Sequence, residues 1–389
     1  MFCRRMRLPR LLVLCAGLTS LASTLPAADY EPIPLDGFSD VIHHWRNQND
    51  MYGREYPRYA PGQIVEIADN LVLRQRANGG WPTNQDPARI IPPEERRELR
   101  LTHNATDTSF DNRNTYPQIE YLAAAYVQAG QERHRDACLR GIDFVLDSQY
   151  PNGGWAHSPP RTDSYYGHIT FADDVMPGVL RLLRKIAAGK PPFSFVDETR
   201  RARAAEAVAR GDGLILRLQV VSEGRRAVWA GQYDRETLEP AKARSFELPA
   251  LVSRESVQVV RYLMSIEDPS PEIIRAVEDA AAWFERTKIR GLRLERRKAA
   301  VVRYDHHTAK DDLVAVPDPD APVLWARFYE LADSQPFLAN RDGRKVYTLA
   351  EVERERRTGY DWYGPFATEL LEKEIPAWRA RIAAKSPTR

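Results

Sequence analysis

The chain has 389 residues, with 56 Lys and Arg against 54 Asp and Glu, a formal charge of +2, and three cysteines. Near-neutrality, with basic residues interleaved among acidic ones, gives no stripe for nucleic acid, so any anion site must be local. Only Cys138 follows the first 28 residues, which excludes an intramolecular disulfide in a processed chain.

Residues 1–28 read as a secretory signal peptide. Arg4, Arg5, Arg7 and Arg10 precede an apolar run from Leu11 to Leu21 and a small-residue end at Pro26-Ala27-Ala28. The expected product is secreted or periplasmic, without a membrane anchor and monomeric. A lipoprotein would use Cys15, but Leu14 is bulky for that signal. The organisation expected is a signal at 1–28, a lead segment at 29–60 that is either flexible or part of a cleft wall, and one catalytic domain at 61–389.

Helical periodicity then dominates. Ile119, Leu122, Ala123, Tyr126 and Val127 form one apolar stripe stopped by Gly130, and Cys138, Ile142, Val145 and Leu146 form the next, ended by Pro151. A small buried thiol is the natural reading of Cys138 on that face. Further helices are predicted at 174–187, 197–217, 254–266 and 271–287, the last with Ser270 as N-cap and Pro271 at its first position. Alternating strands are nearly absent, with short local ribbons expected at 226–230 and 300–304.

An internal repeat organises these helices. Gln75-Arg-Ala-Asn-Gly79-Gly80-Trp81 recurs as Gln149-Tyr-Pro-Asn-Gly153-Gly154-Trp155, 74 residues on, about two helices with their loops. Helical hairpins repeated around an axis give an all-α fold, an incomplete α/α toroid of roughly three hairpins. The two Trp side chains read as packing devices, while Thr83-Asn84-Gln85-Asp86 can line a cleft.

Four segments set charged or amide groups beside aromatic residues: 109–115, 168–174, 243–249, and 325–330 with 340–343. None has zinc-ligand spacing; loop carboxylates and amides suit a hard cation such as calcium. Asp111 and Asp173 each precede a helix, so an N-cap role stands level with a metal role. Arg244 is ordinarily a surface cation or a partner of Glu247, and Arg327 and Arg341 have the same salt-bridge alternative. The residues alone describe an anion-binding cleft and no definite reaction.

Nine segments in register go further. Asn78-Gly-Gly-Trp81-Pro-Thr-Asn, Phe110-Asp-Asn112, Ile119-Glu-Tyr-Leu122, Gln149 to Trp155, His168-Ile-Thr-Phe-Ala-Asp173-Asp, Arg244-Ser-Phe-Glu-Leu-Pro249, Trp325-Ala-Arg-Phe-Tyr-Glu330, Arg341-Asp-Gly343 and Arg357 to Gly364 together resemble the pectate lyases of polysaccharide lyase family 10. The resemblance implies two lobes around a cleft for polygalacturonate and a calcium-assisted β-elimination. It also implies Arg244 as catalytic base, Asp111 and Asp173 as calcium or substrate-site carboxylates, and Asn112, Arg327 and Arg341 as substrate-binding residues. Lys242 and Ala172 depart from the commoner pattern and bear on subsite preference. An arginine base is demanding at its free pKa of about 12.5–13.8, and nearby cations such as Lys242 are expected to ease its deprotonation. Two rival readings share the features: a triterpene-cyclase-like barrel, from the Gln-x-x-x-Gly-x-Trp pattern, and a galacturonan-binding protein without turnover. The signal peptide and the lack of an Asp-x-Asp-Asp motif oppose the first.

Overall fold

The computed structural model describes residues 30–49, 55–305 and 307–385. The predicted signal peptide, with Cys3 and Cys15, lies outside them. The helices are α1 (Ser39–Gln48), α2 (Ile64–Arg74), α3 (Pro93–Leu101), α4 (Tyr116–Ala129), α5 (Glu132–Asp147), α6 (Val175–Ala188), α7 (Glu198–Leu218), α8 (Ser253–Met264), α9 (Pro271–Arg286), α10 (Arg354–Thr358) and α11 (Ile375–Lys385). Among the described residues none is long and apolar enough to cross a membrane.

Three antiparallel hairpins, α4–α5, α6–α7 and α8–α9, form the partial toroid, with α2 beside α4 and α5 as an extra outer helix. The first helix of each hairpin is the more deeply embedded; Val175, Met176, Val179, Leu180, Leu182, Leu183 and Ile186 of α6 are all fully buried. Predicted boundaries hold to within a few residues, and Ser270 caps α9 by accepting from the Ile273 amide at 3.4 Å. Cys138 is fully buried on α5, and burial pushes its thiol pKa well up, as an inert core residue requires.

The repeat explains how successive outer helices are joined. Trp81 and Trp155 are buried, each indole N–H donating to a carbonyl in the last turn of the preceding outer helix, Leu71 and Val145, at 2.8 Å. The Gln75 amide donates both to Gly79 O and to Ala137 O in α5, each at 2.8 Å. Gln149 does the same to Gly153 O and to Ala207 O in α7, at 3.0 and 2.9 Å. Each Gln thus ties its own turn to the next outer helix and satisfies carbonyls that would otherwise be buried alone. The turn needs glycine: Gly79 and Gly153 have φ of +94° and +101°, and a Cβ on either would collide with the carbonyl of Arg140 or Arg210.

Two further copies are not apparent in the sequence. Gln219 clasps Ala227 O and Ala276 O at 2.9 Å, and Trp229 donates to Ile215 O at 2.8 Å. Trp325 donates to Phe284 O at 2.9 Å, with Thr287 at the helix end in place of a Gln. The third copy is obscured by a small hairpin pairing Val221–Ser222 with Arg225–Arg226, and the fourth by a long ribbon pairing Leu292–Arg303 with Thr308–Pro317. That ribbon corrects the short one expected at 300–304. Its Arg-rich strand is half-exposed or exposed along its whole length, so it carries no apolar alternation to betray it.

A second, smaller core caps one end of the helical frame. Phe246, Val252, Phe328, Phe337, Leu338, Val346 and Trp362 pack there around a four-stranded sheet ordered Lys345–Val346, Pro336–Ala339, Phe328–Tyr329 and Leu251–Val252. The fold is mostly helical, with this cap forming the far wall of the cleft.

Candidate active site

Two tight turns face each other at the mouth of the toroid. Phe110 and Phe171 are fully buried anchors, and the residues after them enter the left-handed region: Asn112 and Arg113 at φ +53° and +58°, Asp173 and Asp174 at +50° and +63°. Asn and Asp tolerate that conformation better than most side chains. By backbone conformation Asp173 matches Asn112, and Asp111 matches Ala172. Neither Asp111 nor Asp173 caps a helix with its side chain, which removes the N-cap alternative.

The turns hang from the segments that follow the buried tryptophans. The amide of Phe110 donates to His157 O at 3.0 Å, that of Phe171 to Gly231 O at 2.8 Å, and that of Ser253 to Arg327 O at 3.0 Å. His157, Gly231 and Arg327 each lie two residues after a repeat Trp, and Thr83 holds that place in the first copy. The Thr83 hydroxyl accordingly donates to Asp111 O at 3.1 Å. The same repeat that closes the frame therefore delivers a ring of four positions to the cleft mouth.

At the centre the carboxyls of Asp111 and Asp173 face each other closely enough for each to act on the other's proton affinity. Burial raises the pKa of both. For Asp111 this is outweighed by His157, whose Nε2 is 3.3 Å from Oδ1, and by Arg244, so it falls below the ordinary carboxylate range. Asp173, half-buried and facing the Asp111 charge, is pushed up to about 7 by desolvation and by Asp111, despite the pull of Arg327. Two such carboxyls fit a hard cation: they supply oxygen donors, and a cation would relieve the repulsion between them. Among the described residues no group of three or more His, Cys, Asp or Glu side chains surrounds such a point. A cation held here would complete its shell from water or from a bound anion.

His157 was not singled out from the sequence, although its place two residues after Trp155 marks it as the counterpart of Arg327. It is buried, with Nδ1 2.7 Å from Ser158 Oγ, which in turn lies 2.8 Å from Ser109 Oγ. The Tyr165 and Tyr166 rings stand edge-on to it at 5.3 and 5.5 Å.

The three arginines sit on the cap side of the cleft, each with a carboxylate. Arg244 is half exposed and bidentate to Glu247, through Nε at 2.7 Å and Nη2 at 2.5 Å, and Glu247 also accepts from the Tyr360 hydroxyl at 2.9 Å. Burial would lower the Arg244 pKa, but the Glu247 hydrogen bonds and charge win and hold the guanidinium above its ordinary value. The expectation that neighbouring cations ease its deprotonation is thus opposed by Glu247 in this arrangement. Arg327 is buried, pairs with Glu255, and lies 4.4 Å from the Tyr360 ring centroid. It lines a small pocket of about 40 Å³ with Ala172, Gly231, Glu247 and Tyr360. Arg341 pairs with Glu355 at 2.6 Å and shares the Phe246 ring with Arg244, at 5.1 and 5.0 Å. Asp111, Asp173, Arg244 and Arg327 are therefore brought close enough to shift one another. Asn112 joins them through its turn, donating to Asn84 Oδ1 at 2.8 Å, and Arg341 stands off behind Phe246.

An open α/α toroid with facing carboxyls below a layer of arginines makes a cleft for an anionic polymer, and the family match makes the chain a polysaccharide lyase. Residues 75–371 match pectic acid lyase, and the chain belongs to that family, with pectate lyase as its class of activity. Among solved structures it is similar to the family 10 polysaccharide lyase from Cellvibrio cellulosa, at 28% identity and TM-score 0.67, over 89% of this chain and 99% of that one. A mutant of the Cellvibrio cellulosa enzyme in complex with trigalacturonic acid matches at 27% identity with the same TM-score and coverage. No curated protein matches.

Proposed function

We propose that the chain cleaves α-1,4-linked polygalacturonate by calcium-assisted anti β-elimination, leaving 4,5-unsaturated oligogalacturonides. The facing Asp111 and Asp173 carboxyls beside Arg244 carry this reading. The similar Cellvibrio enzyme, held with trigalacturonic acid, supports the choice of substrate.

In this reaction the proton on C5, α to the uronate carboxylate, is removed and the 4-linked sugar leaves, so negative charge accumulates on the carboxylate. Asp111 and Asp173 would hold the calcium, which when bound neutralises that carboxylate and acidifies the C5 proton. Arg327, Asn112 and Arg341 bind and orient uronate carboxylates, a role the planar guanidinium fork suits. Arg244 accepts the C5 proton. Its clasp by Glu247 fixes the guanidinium plane and favours the charged form, so proton acceptance calls for an alkaline medium and for positive charge brought into the cleft. A polymeric substrate also agrees with export by the leader at 1–28, which we propose delivers the enzyme outside the cytoplasm.

The test is the appearance of ultraviolet-absorbing unsaturated ends when the purified protein meets polygalacturonate, repeated in excess chelator and after calcium is restored. Turnover lost with chelator and regained with calcium is expected. Full activity with metal loss confirmed would overturn the calcium role, and tight binding without product would make the chain a galacturonan-binding protein.

A further inference from the structure

A groove of about 580 Å³ opens beside the Asp111 turn, walled by Trp45, Gln48 and Asn49 at the end of α1, Glu95 and Leu99 of α3, and Pro82 to Gln85 after Trp81. It adjoins the candidate site directly, because Asn84 and Thr83 in its wall bond Asn112 and the Asp111 carbonyl. It has no role in the chemistry proposed above.

Beneath it lies a charge anomaly. Arg58 pairs with Asp86, Arg76 with Asp107, and Arg89 with Glu95, which leaves Arg74 over. Arg74 is 2% exposed; its one hydrogen bond goes to Gln85 Oε1 in the groove wall, its Nε has no partner, and among the described residues no carboxylate pairs with it. A buried unpaired cation costs several kcal/mol unless an anion compensates it. Burial and the neighbouring Arg89 lower its pKa to about 10, against the partial compensation of Glu95 and Asp86, which act on it without pairing.

We infer that this groove is a distal subsite for a uronate unit of the bound chain, its carboxylate seated at Gln85 over Arg74. Arg74 holds the amide oxygen of Gln85 and so turns the amide NH₂ away from itself; one of its hydrogens goes to Thr83 O at 3.4 Å and the other is left for a ligand, while Gln48 and Asn49 add further amides to the wall. The inference rests on the substrate class proposed above. The N-terminal lead segment then extends the cleft, so that longer chains bind better.

The experiment compares Arg74→Met and Gln48→Glu with the unaltered protein on galacturonate oligomers from three units upward, by kcat/KM and by calorimetric affinity in excess chelator. Gln48 is exposed, so that variant keeps the fold and places a repelling charge on the lip. The unaltered protein should gain with chain length, and both variants should lose about tenfold on the longest oligomers, the scale of one charged hydrogen bond, with the trimer within twofold. Equal losses on short and long oligomers would reduce Arg74 to a folding role, and an unchanged length dependence in Gln48→Glu would remove the groove from binding. An unaltered protein that makes no product breaks the catalytic reading alone, since the calorimetric comparison still decides the groove.

Discussion

The helical frame and the cap that closes its cleft are built on opposite principles. In the frame the contacts that position the chain recur: a Trp N–H on a helix-end carbonyl in four copies, and in three of them a Gln amide spanning to the next outer helix; a backbone amide is hung two residues after three of the four Trp. In the cap nothing recurs, and strands of two to four residues are held by pairs distant in sequence, such as Arg327 with Glu255. The frame supplies Asp111, Asn112 and Asp173 on backbone that cannot shift without breaking a repeat contact. The cap supplies arginines whose carboxylate partners can be exchanged for those of a substrate.

Four measurements put that contrast at risk. The largest effect is expected from Arg244→Ala, with turnover down about 10²–10⁴-fold, the usual range for a general base, and little change in Tm because half the side chain is in solvent. Near-normal rates would take the base out of the cap. Trp155→Ala should cost about 3–5 kcal/mol of stability by denaturant unfolding, because it removes a fully buried indole and its hydrogen bond to α5; a loss below about 1 kcal/mol, under the usual range for such a truncation, would mean that the frame does not depend on its repeat contacts.

Glu247→Gln is subtler. Replacing the carboxylate that holds Arg244 in its charged form should move the rising limb of the kcat/KM profile to lower pH, and an unmoved limb would disconnect Arg244 from proton transfer. The smallest effect concerns Glu355. Burial would raise its pKa, but hydrogen bonds from Arg356 and Arg341 lower it from 4.5 to about 2. Its contribution to stability is therefore fully present above pH 4.5 and lost as pH falls through about 2. Acid titration of Tm for Glu355→Gln against the unaltered protein should converge at the low end, and parallel curves would count against the pairing.

The same contrast decides what could be read from the sequence. The hairpin helices were legible because each buries a stripe at the 3.6-residue period, and two repeat copies because Gln and Trp keep a six-residue spacing. The third copy stretches that spacing to ten, and the fourth replaces Gln by Thr287, so both were hidden. Asp111, Asp173 and Arg244 were visible as residues, yet composition alone left caps and salt bridges level with chemistry. The Arg244–Glu247 partner was in view three positions along; Glu255, 72 residues from Arg327, was not. The signal for His157 was its place two residues after Trp155, which becomes readable only once the hidden copy at Trp325 shows Arg327 in the same place.

The ribbon at Leu292–Pro317 has an evolutionary consequence. Trp325 reaches its carbonyl on α9 across 41 residues, where Trp229 spans 14. Loop-closure entropy grows only with the logarithm of length, so that detour costs about 1 kcal/mol. A toroid whose repeats are each locked by one indole and one carbonyl can thus acquire new chain at its seams with little loss of stability. Family members should differ in cleft furniture at these seams far more than in the ring that carries it.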